Sequence, residues 1–358
     1  MKPLLFYVDP AWRRQAQHVP LLYPFWGNAL DPIKTPFYYA LFERHNFDTR
    51  YYGITDDLGQ ADMVLLPYVH EIVVKRFPEL LDECARVAKS AGKLLLVDGT
   101  GDIEYPVAAP GALVLRYGGY RFTKRPNEIH IPLYAEDLLE VHCGGVLRVR
   151  DKRQTPLIGF SGWGSLSLLQ MMSARVRSLP DRVRGLADSR YHARQKGVFF
   201  RRQAMRALKK SPLVAANFII RSSYSAHRDT AVGSMDVLRR EHVDTLLASD
   251  YALDVRGDAN ASIRLFEALS LGRIPVIIDT ERNLPLQDEV DYASFSLKVD
   301  FRDLGRLPEI IAQFHASLSP EQFTAMQRAA REAYISYFRV DALTPHLINK
   351  LRTRASQA

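Results

Sequence analysis

The segment Asp250-Tyr-Ala-Leu-Asp-Val-Arg-Gly-Asp-Ala-Asn-Ala-Ser-Ile-Arg-Leu-Phe-Glu-Ala-Leu-Ser-Leu-Gly-Arg-Ile-Pro-Val-Ile-Ile278 limits the fold more than any other part of this chain. Tyr251 to Val255 is a short β-prone run. Arg256 to Asn260 adds Gly257 with Asp and Asn residues, the chemistry of a turn that runs into a helix. Asn260 or Ser262 can cap that helix at its N-terminus, and Gly272 suits a left-handed stop. Ile274 to Ile278 is a continuous apolar run, as in a parallel strand covered on both faces. Strand, turn, helix and strand in this order predict an α/β parallel sheet.

Within the helix, Leu265, Phe266, Ala268, Leu269 and Leu271 cover most of the circumference, while Arg264 and Glu267 share one polar face. A helix N-terminus favours an anion. Asn260, Ser262 and Arg264 at that end form a candidate diphosphate cradle, with Glu267 one turn deeper as a contact for ribose or sugar hydroxyls. The alternative is a solvated Arg–Glu pair contributing about 0.2–0.5 kcal/mol.

The pattern Gly257…Ser262-x-Arg264-Leu-Phe-Glu267-Ala-Leu…Gly272-x-Ile-Pro275-Val-Ile resembles the exostosin family, glycosyltransferase family 47. Leu284-Pro285, Asp291-Tyr-Ala-Ser-Phe-Ser-Leu-Lys-Val299 and the upstream Ala61-Asp-Met-Val-Leu-Leu-Pro67 extend the resemblance, which is dense over residues 234–300. It implies a GT-B fold of two Rossmann-like domains facing across a cleft. It also implies inverting, metal-independent transfer of sugar from a nucleotide donor, UDP-linked, to a glycan or lipid-linked acceptor in cell-surface polysaccharide synthesis. The chain departs from the animal members at Arg273, where they usually carry Cys, and at Tyr292, where they usually carry Trp. Both departures bear on the donor sugar. A catalytically inactive nucleotide- or glycan-binding scaffold of the same fold is the alternative.

With 358 residues the chain suffices for two domains. No apolar run approaches the length that spans a bilayer, unlike the anchored animal exostosins. Two cysteines, Cys84 and Cys143, fit a reducing compartment. A cytoplasmic protein is expected, peripheral at the inner face of the plasma membrane. The net charge of +8 is concentrated: residues 173–211 hold 12 Lys/Arg against Asp181 and Asp188, which is +10 there and −2 elsewhere. Within that segment, residues 197–210 read as a basic amphipathic helix. Its Phe199, Phe200, Ala204, Met205 and Leu208 oppose Arg201, Arg202, Arg206, Lys209 and Lys210. Such a helix can lie on an anionic membrane or pack on its own sheet with solvated charges. No nucleic-acid reading motif or aromatic platform accompanies the charge.

The first domain is expected over 1–150 on the acceptor side and the second, donor-binding domain over 151–335. A C-terminal helix at 336–358 is expected to cross back to the first. An aromatic loop from Asp9 to Thr35, with Trp12, Tyr23, Phe25 and Trp26, is open to two readings: stacking on sugars or burial under its own side chains. Pro156 to Phe160 restarts the strand pattern and leads into Ser161-Gly-Trp-Gly-Ser165, with Gly162 a donor-phosphate candidate. Ligands of parallel sheets bind beyond the strand carboxyl ends, so Arg221 and Arg256 join Arg264 as diphosphate contacts. The resemblance places the general base on the first domain. Asp102, in a Gly-flanked loop after a buried strand, leads Glu71 and His70, and Asp98 reads equally as a turn cap. No Asp-x-Asp pair or zinc spacing appears, so no metal is expected.

Overall fold

The computed structural model describes residues 2–101, 103, 105–223 and 227–357. Two parallel sheets organise them. The first contains β1 (Leu4–Tyr7), β2 (Tyr52–Thr55), β3 (Met63–Leu65), β4 (Leu94–Asp98), β5 (Leu113–Arg116) and β6 (Glu128–His130), in the order β2-β1-β3-β4-β5-β6. The second contains β7 (Leu157–Trp163), β8 (Ala215–Arg221), β9 (Tyr251–Asp254), β10 (Ile274–Asp279) and β11 (Leu297–Asp300), in the order β11-β10-β9-β7-β8. Every pairing within both sheets is parallel. This is the two-sheet α/β architecture expected of a GT-B fold.

In each sheet the chain first moves to one side of its starting strand and then crosses to the other. The reversal leaves a crevice between β1 and β3 in the first sheet, and between β7 and β9 in the second. Ligands enter open parallel sheets at these crevices, beyond the strand carboxyl ends. Asp9 and His70 flank the first; Ser161 to Gly164 and Arg256 to Asn260 flank the second.

The motif segment folds as its residues dictate. Ile263–Ser270 is a helix with Ser262 at its N-cap position, and Gly272 adopts φ 62° at the stop. β10 is buried along its whole length. Elsewhere two strands start directly behind short turns. β2 begins at Tyr52 because Asp48 turns the chain, accepting from the Arg50 amide and guanidinium. β11 begins at Leu297 because Asp291 caps a short 3-10 turn over Tyr292–Ser294.

The halves are joined by apolar packing. Leu265, Phe266 and Leu269 enter the same core as Phe6, Val64 and Leu96 of the first sheet. The last helix, Val340–Ala355, contributes Leu343, Leu347 and Leu351 to that core, and Thr344 Oγ1 accepts from the Asp48 amide. In the 9–35 loop Trp12 and Tyr23 are buried, whereas Phe25 and Trp26 are only partly covered. Trp12 packs on Tyr7 and donates to Glu83, and Tyr23 packs on Phe42, so this pair is buried against the rest of the first half and cannot stack on a sugar.

The basic helix Gly197–Lys210 turns Phe200, Ala204, Met205 and Leu208 onto the second sheet's core and buries Val198 as well. Its apolar face is thus already covered. Arg201, expected on the solvated face, is buried and donates to the carbonyls of Trp163 and Val255. Only Arg202, Arg206, Lys209 and Lys210 of its cations face solvent. The expected membrane contact through 197–210 therefore lacks an apolar side to insert.

Candidate active site between the two sheets

The second crevice opens into a cavity bounded by both halves. Phe37, Tyr38, Leu41 and Glu136 come from the first half, and Ser161, Trp163, Arg239, His242, Arg264 and Glu267 from the second. Its solvent-sized space is about 60 Å³, enough for a few waters and far below the several hundred Å³ of a pocket that encloses an organic ligand. Phe37 and Tyr38, which narrow the cavity from the first half, stand on the Pro36–Arg44 helix.

Arg264 reaches the cavity because residue 162 has no side chain. Gly162 adopts φ +145°, and a Cβ there would collide with the Arg264 guanidinium. The guanidinium lies 4.9 Å over the Phe160 ring, and its Nε donates to the Ser161 carbonyl at 3.1 Å. The arginine is thus held by a backbone oxygen and an aromatic face, and its charge is kept at the strand ends. Lys196 Nζ stands 5.0 Å from the Trp163 ring and 3.6 Å from Asp258. Burial pushes the Arg201 guanidinium well below its ordinary pKa, and the like charge of Arg264 adds to the effect. Cations therefore crowd the ends of β7 and β9.

The opposite wall is an ion-pair chain. Arg239, on the helix Met235–Ala248, donates to Glu136 at 3.0 Å and to Glu267. Glu267 also meets His242 Nε2 at 3.0 Å. The Phe37 ring lies 5.0 Å from the Arg239 guanidinium. Burial by itself would raise the Glu267 carboxyl, but His242 and Arg239 outweigh it and hold the group well below the usual carboxylate range. Burial would likewise lower Arg239, and the two carboxylates reverse that. Glu267 therefore joins the halves through Arg239 and Glu136, a role not read from its sequence position. Arg239, His242 and Glu136 were missed as well. Their one sequence signal was the three-residue spacing of Arg239 and His242, which puts both on one helix face.

The other expected donor contacts divide. Ser262 is buried, and its hydroxyl has no hydrogen-bond partner among the described residues. It stands at the first turn of the helix that carries Arg264. Asn260 is not a cap: its amide donates to the carbonyls of Gly119 and Thr280 and its oxygen accepts from Thr280, which stitches the halves together. Arg256 also turns away from the cavity. Its guanidinium donates to the carbonyls of Ala193 and Asp258, so it braces the turn. Arg221 pairs with Glu241 at 2.8 Å and does not line the cavity.

The described base candidates, Glu71, His70 and Asp98, do not line this cavity. Asp102 lies outside the described residues. Glu71 pairs with Lys75 at 2.5 Å, and its other oxygen lies beside Gly101. His70 is buried, and burial, followed by the charge of Arg116, lowers its pKa. Asp98 accepts from the Thr100 amide and hydroxyl, as a turn cap does. Among the described residues, the one His/Cys/Asp/Glu group within metal-binding reach is His45, Asp137 and Glu140. It lies off the cavity, and Asp137 is already paired with Arg331 at 2.6 Å.

Residues 169–314 match the family model of the Exostosin GT47 domain. An Exostosin-1 homolog of Caenorhabditis elegans is 29% identical over 111 residues, 31% of this chain and 28% of that protein. The chain thus spans little more than a quarter of that relative's length. Among solved structures, HepE from Anabaena in complex with UDP aligns over 98% of this chain and 100% of its own, at 10% identity and TM-score 0.38. Sucrose-phosphate synthase from Thermosynechococcus elongatus aligns over 82% of each chain, at 12% identity and TM-score 0.35. The cavity's Arg239, His242, Arg264 and Glu267 all fall inside the matched segment, so the second-half wall of the cavity lies in the part of the chain that is similar to the Exostosin GT47 domain.

Proposed function

We propose that the chain is an inverting glycosyltransferase that moves a sugar from a nucleotide donor, UDP-linked, to a glycan or lipid-linked acceptor in cell-surface polysaccharide synthesis, at the cytoplasmic face of the membrane. One observation carries the reading. Arg264 is held at the first turn of a helix, at the crevice of a parallel sheet, with the buried Arg201 close enough to be perturbed by its charge. Like charges gathered at a strand end are relieved by a dianion, and a nucleoside diphosphate supplies one. The unpartnered Ser262 hydroxyl stands ready to donate to the same ligand.

In the reaction, an acceptor hydroxyl oxygen attacks the anomeric carbon as the bond from that carbon to the diphosphate breaks. The diphosphate leaves with the electron pair, and the hydroxyl proton passes to a base on the first half. We assign the base to the first half, with Asp102, Glu71 and His70 as its candidates, because the segments that carry them follow strands of the first sheet. Arg264 stabilises the departing charge without a divalent ion. Activity is expected to persist in excess EDTA; its loss on chelation and return with a divalent cation would overturn metal independence.

Calorimetry against UDP tests the central claim. Arg264→Ala is expected to weaken binding by about 1.5–3 kcal/mol, roughly ten- to a hundredfold. Unchanged affinity in a folded variant defeats the assignment. A second reading, a binding scaffold without turnover, draws on the cavity's two carboxylates, Glu136 and Glu267, both engaged by Arg239. It expects nucleotide binding with no product, and indifference to Glu71→Gln and Asp102→Asn.

A further inference from the structure

β7 ends on the cavity wall at Trp163, and the chain then enters two consecutive helices, Leu168–Arg177 and Leu179–Ala187. They form one nearly continuous rod, since the Ser178 amide donates to Ala174 and its carbonyl accepts from Arg182. Leu169, Met172, Val176, Leu179, Val183 and Leu186 recur along it at intervals of three, four, three, four and three. That spacing puts all six on a single face. In an ordinary surface helix this face is the buried one. Here the six are between 55% and 86% exposed, while Ala174, Ser178 and Gly185 turn inward. Gly185 fixes this orientation, because a side chain there would strike the His192 ring. The small residues let the rod lie close to the body and leave its large apolar residues pointing out.

The charges beside the stripe say what covers it. On helical spacing, Arg175 and Arg182 run along one border, and Arg177 and Arg184 along the other. The rod's only acid, Asp181, lies between the inward residues and is half-buried, near Arg184 at 3.5 Å. A symmetric pairing of two copies along this stripe would set arginine borders against each other, with Pro180 in the seam. An anionic bilayer instead accepts the apolar residues among its acyl chains and both arginine rows among its phosphates. Arg202 of the neighbouring 197–210 helix contacts Met171 on the flank of the rod, and that helix's solvent-facing cations therefore lie beside it.

We infer that the outer face of the 168–187 rod is a membrane-docking surface for anionic lipid. It replaces the 197–210 helix as the inserting element, and the basic face of that helix supplements it. The docked bilayer lies next to the cavity wall at Trp163, within reach of an acceptor carried on a lipid. The lipid contact itself stands whether or not the cleft transfers sugar.

Sedimentation of the full chain with vesicles tests this. The wild type is expected to pellet with phosphatidylcholine–phosphatidylglycerol vesicles and to remain in solution with phosphatidylcholine alone. Replacing Leu169, Val176, Val183 and Leu186 together by Ser is expected to cut partition by about tenfold or more. Arg175→Ala and Arg182→Ala are each expected to cost about fivefold. All six positions are exposed, so circular dichroism melting should match the wild type and separate lost docking from lost folding. Wild-type protein that ignores anionic vesicles overturns the proposal, as does a quadruple Ser variant that pellets undiminished. A wild-type dimer that the same variant dissociates, without vesicle binding, makes the stripe a contact between copies and also overturns it.

Discussion

Gly162 and Arg264 are complementary across the crevice of the second sheet: the guanidinium lies where a side chain on residue 162 would have to go. The glycine carries φ +145°, a backbone that other residues rarely adopt. Gly162→Ala should therefore act twice. Backbone strain is expected to lower stability by about 1–3 kcal/mol, and Arg264 is expected to be driven off the Ser161 carbonyl. Calorimetry with UDP and a thermal melt read the two effects separately. An alanine variant that binds and melts like the wild type shows that the arginine has other room.

Glu267 makes stability depend on acid. Its folded-state pKa is depressed below the ordinary 4.5, so its contribution is full above that value and is lost as pH falls through the folded one. Glu267→Gln is expected to flatten this acid limb. It should also destabilise the protein at neutral pH by about 3–5 kcal/mol, because Arg239 and His242 would lose a buried partner. Denaturant melts across the acid range, wild type against variant, check both. An unchanged acid limb would mean that other carboxylates govern it.

His130 titrates in a separate window. Burial, and after it the charge of Lys124, lowers it from 6.5 to about 4. Between those values the unfolded chain binds a proton that the folded chain refuses, so stability falls as pH drops from 6.5 toward 4. The loss amounts to about 3 kcal/mol in that interval. Histidine proton shifts followed by NMR should show a ring that stays neutral at pH 5, and His130→Asn should remove the slope.

Arg201 and Arg206 share a helix and a charge but not an environment. Arg201→Glu would leave the carbonyls of Trp163 and Val255 facing a buried carboxylate, a change expected to cost about 3–5 kcal/mol or to prevent folding. Arg206→Glu, on the solvent face, should stay within about 0.5 kcal/mol of wild type. Chemical denaturation of the pair decides it, and equal effects would refute the burial of Arg201.

The local rules of the chain were legible in its residues. The turn at 256–260, the Gly272 stop and the wholly apolar β10 are short-range consequences of backbone freedom and hydrophobic run length. They sufficed for a parallel α/β fold, and the spacing within the motif pointed to Arg264. Which polar residues face the cleft was decided elsewhere, because that depends on partners far along the chain. Arg256 and Asn260 fit a cradle by sequence, yet their hydrogen-bond partners lie at Ala193 and Gly119 and turn them into braces. Glu267 found Arg239 and, through it, Glu136. The same holds for the two amphipathic segments. Their patterns were visible as hydrophobic spacing, but only packing determined that 197–210 covers its apolar face while 168–187 leaves its own exposed. Periodicity fixes which residues lie together on a helix face; the rest of the molecule decides whether that face meets protein or surroundings.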